Sequence, residues 1–344
     1  MTMAIRIHAP GGPEALRYEE TPLADPGPGE ARLRHHAIGL NFVDVYNRSG
    51  LYPAKYPLIL GSEGAGEVIG LGKGDTAGLK VGDRVAYAPI AGSYCEERNI
   101  AAGKLVKLPK SISYETAAAM ILKGLTAQYL LRQTHRVKAG ETILIHAAAG
   151  GVGQILCQWA KALGAIVIAT VGSEEKAKIA RKNGAKYTIL YRDEDFAARV
   201  KTITKGALCD VVYDGVGKAT FPASLDCLRP LGLFVSYGNA SGPIDAFNLG
   251  VLSSKGSLFV TRPTLASYTD LPGGLQKMAR DLFRMVGSGA VKIRINARFP
   301  LAEAAEAHRA LEARQTTASS ILIPKSTFLS FRPERSGEPE SRSR

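Results

Sequence analysis

The spacing of apolar residues divides the chain into two kinds of segment. In residues 4–9, 16–21 and 30–40, apolar residues alternate with polar ones or run together briefly, and Gly- and Pro-rich turns separate these segments. Short apolar segments between such turns predict β-strands. Similar segments continue to residues 105–109. The first third of the chain is therefore predicted to form a small, mostly β domain.

An Ala- and Leu-rich stretch over residues 113–131 follows, with the apolar spacing of a helix. Ser113 is predicted to cap its start. Gly124 lies inside this stretch, and an interior Gly costs a helix about 1 kcal/mol relative to Ala. We therefore expect a helix break or the close approach of a ligand at Gly124.

Beyond residue 140, apolar strands alternate with helices. Residues 140–173 predict a strand, a turn, a helix and a second strand. The strands predicted after this unit, each preceded by a helix, are residues 187–191, 211–213 and 233–237. Such alternation predicts a parallel, doubly wound sheet. Ligands bind beyond the carboxyl ends of its strands, which favours residues 214–217 and 238–239 as site positions.

Residues 256–263 predict a further strand, at the edge of this sheet, where it could pair with a second subunit. The elements predicted after it are helices over residues 274–289 and 301–313 and strands over residues 292–299 and 319–323. The stretch 326–344 is rich in Ser, Pro, Glu and Arg and is predicted to be a disordered tail.

Composition limits the class of protein. Of the 344 residues, 45% are hydrophobic and 22% are charged, as in soluble globular proteins. No apolar run has the length of a membrane span, and residues 1–9 lack the apolar core of a signal peptide. We expect a cytoplasmic location. The cysteines stand singly, without zinc-ligand spacing, and are interpreted as reduced structural residues: Cys95, Cys157, Cys209 and Cys227.

The net charge of +13 at pH 7 is unevenly distributed. Residues 1–121 hold 13 basic and 13 acidic side chains, residues 122–255 hold 17 and 10, and residues 256–344 hold 14 and 8. A basic excess beyond residue 121 suits a ligand with several phosphates. It would also suit nucleic acid, but no Lys/Arg run is interleaved with aromatic residues. Nucleic-acid binding is therefore expected only as a minor or secondary activity.

The turn over residues 148–153 fits the pattern GxGxxG, with Ala148 in the first glycine slot. Gly150, in the second slot, would let the backbone approach a pyrophosphate, and Gly153, in the third, would let helix and strand pack closely. The start of the helix offers N–H groups and a partial positive charge. Between two predicted strands, this turn predicts a dinucleotide site.

The end of the second strand indicates which dinucleotide binds. An NAD site carries Asp or Glu about 20 residues past the glycines, where this chain has Gly172 and Ser173. These two residues leave room for a 2′-phosphate, which Lys176 could neutralise. Glu174 and Glu175 are interpreted as the acidic first turn of the next helix. The pattern favours NADPH over NADH.

Asn41 and Asp44 follow a predicted buried strand and lie one helical turn apart. They could line an enclosed site at the strand end. Alternatively, Asn41 caps a short helix that has Asp44 in its first turn. The two interpretations are compatible, because a capping residue can also face a ligand.

The chain contains the segments GETILIHAAAGGVGQILCQWAK, NFVDVYNRSGLY, LKGLTA, YDGVG, SYGNASG and VTRP. Together these segments resemble the medium-chain dehydrogenase/reductase superfamily, and within it the zinc-free quinone oxidoreductase (zeta-crystallin-like) branch. The resemblance implies a GroES-like, mostly β catalytic domain around a Rossmann domain. The implied limits are residues 1–121 and 256–325 for the catalytic domain and residues 122–255 for the NADPH-binding domain.

The chain departs from the zinc alcohol dehydrogenases of this superfamily. Those enzymes have Cys where Asn41 stands, and Gly-His-Glu where this chain has Gly61, Ser62 and Glu63. Zinc needs about three N, S or O side-chain ligands, which Asn41 and Ser62 do not supply. No metal site is expected.

The resemblance also assigns residue roles. Asn41 and Asp44 would border the nicotinamide or the substrate, Tyr46 and Tyr52 would line the substrate cleft, and Lys123 and Thr126 would contact the nicotinamide ribose or ring. The residues implied to hold the rest of the cofactor are Gly150, Gly151, Val152, Gly153, Gly172, Ser173, Lys176, Tyr191, Tyr237, Asn239 and Arg314.

The resemblance implies reduction of a quinone-like acceptor by NADPH, in which the cofactor carries the chemistry and the protein supplies alignment. The possible hydrogen-bond donors to the acceptor oxygen are Tyr46, Tyr52, Asn41 and Lys123. Two alternatives remain open: an enone or enoyl double-bond reductase, and an NADPH-regulated RNA-binding or structural protein of the zeta-crystallin type. The resemblance further implies a homodimer.

Overall fold

The computed structural model describes residues 1–313 and 317–325. Its strands, in chain order, are β1 (Thr2–Ile7), β2 (Arg17–Thr21), β3 (Glu30–Gly39), β4 (Leu58–Ile59), β5 (Gly64–Leu71), β6 (Arg84–Tyr87), β7 (Glu97–Ala101), β8 (Val106–Lys107), β9 (Thr142–Ile145), β10 (Ile166–Val171), β11 (Tyr187–Leu190), β12 (Cys209–Asp214), β13 (Leu228–Ser236), β14 (Phe259–Thr261), β15 (Ile295–Pro300) and β16 (Ser319–Ile323). Its α-helices are α1 (Phe42–Ser49), α2 (Tyr114–Tyr129), α3 (Gly151–Ala162), α4 (Glu174–Lys182), α5 (Phe196–Ile203), α6 (Phe221–Leu225), α7 (Gly250–Ser254), α8 (Leu265–Thr269), α9 (Gly274–Gly287) and α10 (Ala304–Glu312).

Six strands form a parallel sheet in the order β11-β10-β9-β12-β13-β14. The direction of the strand order reverses between β9 and β12, which is where doubly wound sheets bind their ligands. Along β9, Ile143 and Ile145 belong to one buried cluster and Leu144 to another. The sheet is therefore covered on both faces, and the predicted Rossmann architecture is confirmed.

A second, seven-stranded sheet is built from distant parts of the chain. Its order is β15-β16-β3-β5-β6-β8, and β7 pairs with β3. Leu322 of β16 is the register partner of Ile38 in β3, so a strand near residue 320 completes a sheet that begins near residue 30. This mixed sheet, with a small sheet of β2, β1 and β4 beside it, agrees with the expected GroES-like domain.

Helix α2 packs against strands β3 and β5 of the mixed sheet and against α3 of the parallel-sheet domain. Ser113 caps its start, because the Ser113 hydroxyl accepts a hydrogen bond from the Thr116 N–H at 3.1 Å. The expectation for Gly124 was wrong: α2 runs through it without a break. A Cβ at position 124 would lie 2.5 Å from the Cδ atoms of Leu282. The close neighbour is therefore helix α9 and not a ligand.

The predicted domain limits fall within continuous structure. The limit between residues 121 and 122 lies inside α2, and β14, which begins after residue 256, pairs with β13 in the parallel sheet. These limits stay a prediction. The predicted tail, residues 326–344, lies outside the described residues. No helix of the described chain has both the length and the apolar character needed to cross a membrane.

The four cysteines are free and buried, as their interpretation as reduced structural residues requires. Cys157 lies in α3, and Cys227 follows α6, which ends at Leu225. Burial raises the pKa of the Cys157 and Cys209 thiols to about 12. These thiols therefore remain protonated and poorly nucleophilic at neutral pH.

Candidate active site

The glycine turn joins β9 to α3 with the tight geometry that its sequence predicted. Gly150 is the N-cap residue of α3. A Cβ at position 153 would lie 2.4 Å from the Ala147 carbonyl oxygen, so only Gly fits where the helix passes the turn. No side chain of residues 1–313 or 317–325 caps the start of α3. The first backbone N–H groups of the helix are therefore available to a phosphate.

A second cluster lies at the end of β10. The Ser173 hydroxyl accepts the Lys176 N–H at 3.4 Å and caps α4. Glu174 and Glu175 occupy the first turn of this helix, as predicted. A Cβ at position 172 would lie 2.8 Å from the Tyr191 hydroxyl oxygen and 3.5 Å from the Arg192 Nε. Because Gly172 has no side chain, Tyr191 and Arg192 can approach the strand end. Arg192 was not among the site residues predicted from the sequence.

Lys123 connects the glycine turn to the β domain. Its side chain runs from α2 past the start of α3, since a Cβ at position 151 would lie 2.8 Å from the Lys123 Cδ. The Lys123 ammonium forms an ion pair with Glu63 at 2.8 Å. Lys123 is 5% exposed and Glu63 is fully buried. A buried charged pair therefore lies where α2 passes between the mixed sheet and the start of α3.

Glu63 also holds the Asn41 side chain. Its Oε1 accepts a hydrogen bond from the Asn41 Nδ2 at 2.8 Å, and its Oε2 accepts the Leu122 N–H at 2.7 Å. One carboxylate thus fixes two of the predicted donors, Asn41 and Lys123. Sequence reasoning did not select Glu63 as a site residue. The available signal was an acidic residue within LILGSEGAG, a segment otherwise made of small and apolar residues.

Asp44 lies behind these donors and is fully buried. Its carboxylate accepts hydrogen bonds from the Asn41 N–H at 2.9 Å, the Ser62 hydroxyl at 2.8 Å and the Tyr94 hydroxyl at 3.1 Å. Burial raises the pKa of Asp44 to about 7, and the nearby Glu63 charge adds to this effect, while the three hydrogen bonds oppose it. Asn41 is the N-cap residue of α1, and the Asp44 carboxylate accepts the Asn41 N–H as part of a capping box.

The Tyr94 hydroxyl extends this network away from the cleft. It lies 3.1 Å from the His308 Nε2, and the Arg48 guanidinium donates to the His308 Nδ1 at 2.9 Å and to the Glu312 carboxylate at 2.8 Å. Burial, together with the charge of Arg48, lowers the pKa of His308 to about 3. The neutral ring therefore accepts from Arg48 and links α1 to α10.

Tyr46 and Tyr52 form an aromatic wall, with ring centroids 5.4 Å apart. The Tyr46 hydroxyl accepts the Asn239 N–H at 3.2 Å, and the Tyr52 hydroxyl accepts from the Asn239 Nδ2 at 3.4 Å. Burial raises the pKa of Tyr46 to about 12, so its hydroxyl keeps its proton at neutral pH. The structure therefore joins the tyrosines of the β domain to the end of β13.

Three other predicted site residues differ in their surroundings. Tyr237 lies against Gly215, where a Cβ would be 2.9 Å from the Tyr237 Cζ. The Thr126 hydroxyl donates to the Leu122 carbonyl within α2 at 2.8 Å. Arg314 lies outside the described residues.

The structure also places Arg262 at this cleft, with its Nη2 3.4 Å from the Tyr52 hydroxyl oxygen. The VTRP segment contains Arg262, but sequence reasoning gave it no role.

Two family models match the chain. Residues 27–153 match the alcohol dehydrogenase GroES-like domain, and residues 151–280 match the zinc-binding dehydrogenase model. The quinone oxidoreductase of Pseudomonas aeruginosa is 58% identical over 327 residues, which cover 94% of this chain and 100% of that protein. The chain belongs to the quinone oxidoreductases of the medium-chain dehydrogenase/reductase superfamily. Both the resemblance and the fold that it implied are thereby confirmed.

Solved structures agree with this family. The crystal structure of the Escherichia coli quinone oxidoreductase complexed with NADPH is 49% identical, covers 94% of this chain and 100% of that chain, and has a TM-score of 0.92. The 2-haloacrylate reductase of a Burkholderia species is 46% identical over 336 residues, which cover 94% of this chain and 100% of that protein. In the described part of this quinone oxidoreductase, no three His, Cys, Asp or Glu side chains are grouped to hold a metal ion.

Proposed function

We propose that the protein is an NADPH-dependent quinone reductase that passes reducing equivalents from NADPH to a quinone-like small molecule. The observation that carries this proposal is the uncapped start of α3 beside the buried Lys123–Glu63 pair. A phosphate site and a fixed group of hydrogen-bond donors thus share one cleft. The NADPH complex of the Escherichia coli relative supports the same cofactor.

The residues present fit this cofactor. Gly153 lets the start of α3 pass close to the Ala147 carbonyl. The N–H groups of the first turn of α3, which no side chain of the described residues caps, would hold the pyrophosphate. Tyr191 and Arg192 lie beside Gly172 at the end of β10, and Lys176 lies in the first turn of α4. These three residues would hold the adenosine and its 2′-phosphate. NADPH supplies the reducing equivalents when it is bound.

The protein's own contribution is alignment and hydrogen bonding. Glu63 accepts one N–H from the Asn41 amide and one from the Lys123 ammonium, which leaves both groups further N–H donors. Asn41 and Lys123 would stabilise the negative charge that grows on the acceptor oxygen. Tyr46 and Tyr52 would pack against a flat acceptor ring. Solvent can supply the protons that complete reduction.

Cofactor choice can be tested with matched lysine variants of α4. We expect Lys176→Ala to reduce kcat/KM for NADPH about tenfold, because the variant loses one charge-assisted hydrogen bond to the 2′-phosphate. The kcat/KM for NADH should change little, since NADH lacks this phosphate. Lys178→Ala, an exposed lysine of the same helix, is the control and should change neither. Equal losses with both cofactors would show that Lys176 does not bind the 2′-phosphate.

Double-bond reduction is the second candidate function. It is favoured by the 46% identity to a 2-haloacrylate reductase, whose name denotes an unsaturated carboxylate. Oxidation of NADPH by wild-type protein would be followed with 1,4-benzoquinone and with a panel of enones and 2-haloacrylates. Turnover of benzoquinone at a higher kcat/KM supports the quinone reductase, and the reverse order supports the alternative.

We also propose a cytoplasmic homodimer in which the edge strands β14 pair. Strand β14 ends the order of the parallel sheet, and its Phe259 and Val260 are 59% and 37% exposed. An unpaired edge strand with exposed apolar side chains can add a strand from another chain. Two copies related by a twofold axis would place β14 against β14.

A further inference from the structure

A cavity of about 520 Å³ lies beyond the carboxyl ends of β13 and β14. This volume is within the range of roughly 300–1,000 Å³ that small-molecule sites have. Most of the wall is apolar. Phe221 is the centre of an aromatic group, with ring centroids 5.3 Å from Phe234 and 4.7 Å from Phe247, and Ile244 and Val260 complete this side.

The opposite side of the cavity is polar. Ser236 lines it with only 4% of its surface exposed, and among the described residues its Oγ has no hydrogen-bond partner. A buried hydroxyl without a partner is costly, and a ligand or water that bonds it removes the cost. The Ser236 hydroxyl is therefore a spare hydrogen-bonding group beside this end of the cavity.

Arg262 stands at the same end. Its guanidinium donates to the Ser236 carbonyl at 3.1 Å and to the Tyr52 hydroxyl at 3.4 Å. Within residues 1–313 and 317–325, no carboxylate lies within ion-pairing distance of Arg262. The one acidic lining residue, Asp245, is paired with Lys218 at 2.9 Å. The charge that the cavity presents is therefore positive.

The cavity continues into the aromatic cleft. Asn239 lines it and also bonds to Tyr46 and Tyr52 through its N–H and Nδ2. A molecule whose ring lies against the two tyrosines would reach the cavity with a substituent on that ring. The polar end, with Arg262 and the Ser236 hydroxyl, then meets the substituent, and the phenylalanines surround its apolar part.

We propose that this cavity is a subsite for acceptors that carry an apolar substituent ending in a carboxylate. The carboxylate oxygens accept hydrogen bonds from Arg262 and from the Ser236 hydroxyl, a geometry that arginine favours. The inference rests on the proposed function, since the acceptor ring is placed by Tyr46 and Tyr52. It adds the chemical class of the acceptor's non-reacting part.

The test compares two acceptors that differ only in charge, 2-(4-carboxyphenyl)-1,4-benzoquinone and the corresponding carboxamide. For the wild-type protein with NADPH, we expect kcat/KM for the carboxylate to exceed that for the amide about tenfold or more. In Arg262→Gln this ratio should fall to about one, and Arg262→Lys should keep part of it. The ratio cancels any general loss of activity in a variant.

The control variant is Arg229→Gln. Arg229 lies at the other end of β13, in an ion pair with Asp210, and its replacement should leave the ratio unchanged. A ratio near one in the wild-type protein, as when a second copy of the chain covers the cavity, would overturn the subsite. So would an undiminished ratio in Arg262→Gln. Failure to reduce unsubstituted 1,4-benzoquinone would instead contradict the proposed function.

A second measurement does not depend on turnover. The protein saturated with NADPH would be titrated calorimetrically with 4-phenylbenzoate and with 4-phenylbenzamide. We expect binding of the carboxylate, at least tenfold weaker binding of the amide, and loss of the difference in Arg262→Gln. Equal affinities for the two probes in the wild-type protein would contradict the proposal.

Discussion

Glu63 shows how much can depend on one buried carboxylate. It accepts hydrogen bonds from Asn41, Lys123 and the Leu122 N–H while none of its surface is exposed. Burial of charge is costly unless partners offset it, and removal of one partner leaves the other uncompensated. The position of both candidate donors therefore depends on a residue that need not touch the acceptor.

We expect Glu63→Gln to lower the free energy of unfolding by about 3–5 kcal/mol, because it leaves the Lys123 ammonium without its counter-charge. kcat should also fall, since Asn41 and Lys123 lose their common anchor. Urea unfolding and steady-state kinetics would measure the two effects. Glu67→Gln, on the half-buried part of β5, is the control, expected to stay within about 1 kcal/mol of wild type. Wild-type stability of Glu63→Gln would refute the argument.

Asp44 predicts a pH-dependent stability. Burial raises its pKa from 3.8 to about 7, so the native state holds a proton that the unfolded state has released. The stabilisation is complete below about pH 4 and is lost as the pH rises to about pH 7. Urea unfolding would give the free energy of unfolding of the wild type and of Asp44→Asn at each pH. We expect the wild-type value minus the Asp44→Asn value to be a few kcal/mol greater below about pH 4 than above about pH 7. A difference independent of pH would contradict this.

The site residues that were predicted from the sequence differ from those that were missed in how far apart along the chain their contacts lie. Gly150, Gly153 and Ser173 act within a few residues of their own positions, so their spacing was sufficient. Glu63 reaches Lys123 across 60 residues and Arg262 reaches Tyr52 across 210. Contacts of this length arise from the packing of whole domains, which local spacing does not encode.

Among the elements, α2 supplies the clearest difference between pattern and structure. Its apolar spacing and its Ser113 cap predicted a helix, which the structure confirms. Intrinsic propensity suggested a break at Gly124 because it considers the isolated helix. The native reason for a glycine is the contact with Leu282 of α9, which no local pattern of α2 contains.

This contact can be tested by double substitution. Gly124→Ala would place a methyl group against the fully buried Leu282, and we expect it to destabilise the protein by about 1–3 kcal/mol, as overpacking does. In the background of Leu282→Ala the same change should cost less or stabilise, because the methyl enters the vacated space. Gly287→Ala, with no atom near the added Cβ, is the control. Additive effects in thermal unfolding would exclude the contact.

At the scale of the whole molecule, the strands and helices followed from periodicity, but the assembly of the β domain from two distant parts of the chain did not. That arrangement was implied only by the resemblance. The pairing of Ile38 with Leu322 joins positions that are too far apart in the sequence to be detected from the spacing of apolar residues in any short segment. The same limit applies to the predicted domain boundaries.

The proposed dimer predicts the effect of a charge on the edge strand. Phe259→Asp would place two like charges close together across a twofold axis and should convert the protein to a monomer. Sedimentation analysis of the wild type should give the mass of two chains. Val81→Asp, at an exposed position of the β domain, should leave the dimer intact. A dimeric Phe259→Asp protein would show that β14 is not the contact.

The position of β16 has a consequence for biosynthesis. Strand β3 ends at Gly39 and β16 begins at Ser319, so a ribosome makes roughly 280 residues between them, which takes about 15–60 s at usual elongation rates. During that interval the Ile38 end of β3 lacks its β16 neighbour. The nascent β domain thus exposes an open strand to other chains in the cell, and chaperone protection would matter most in this period.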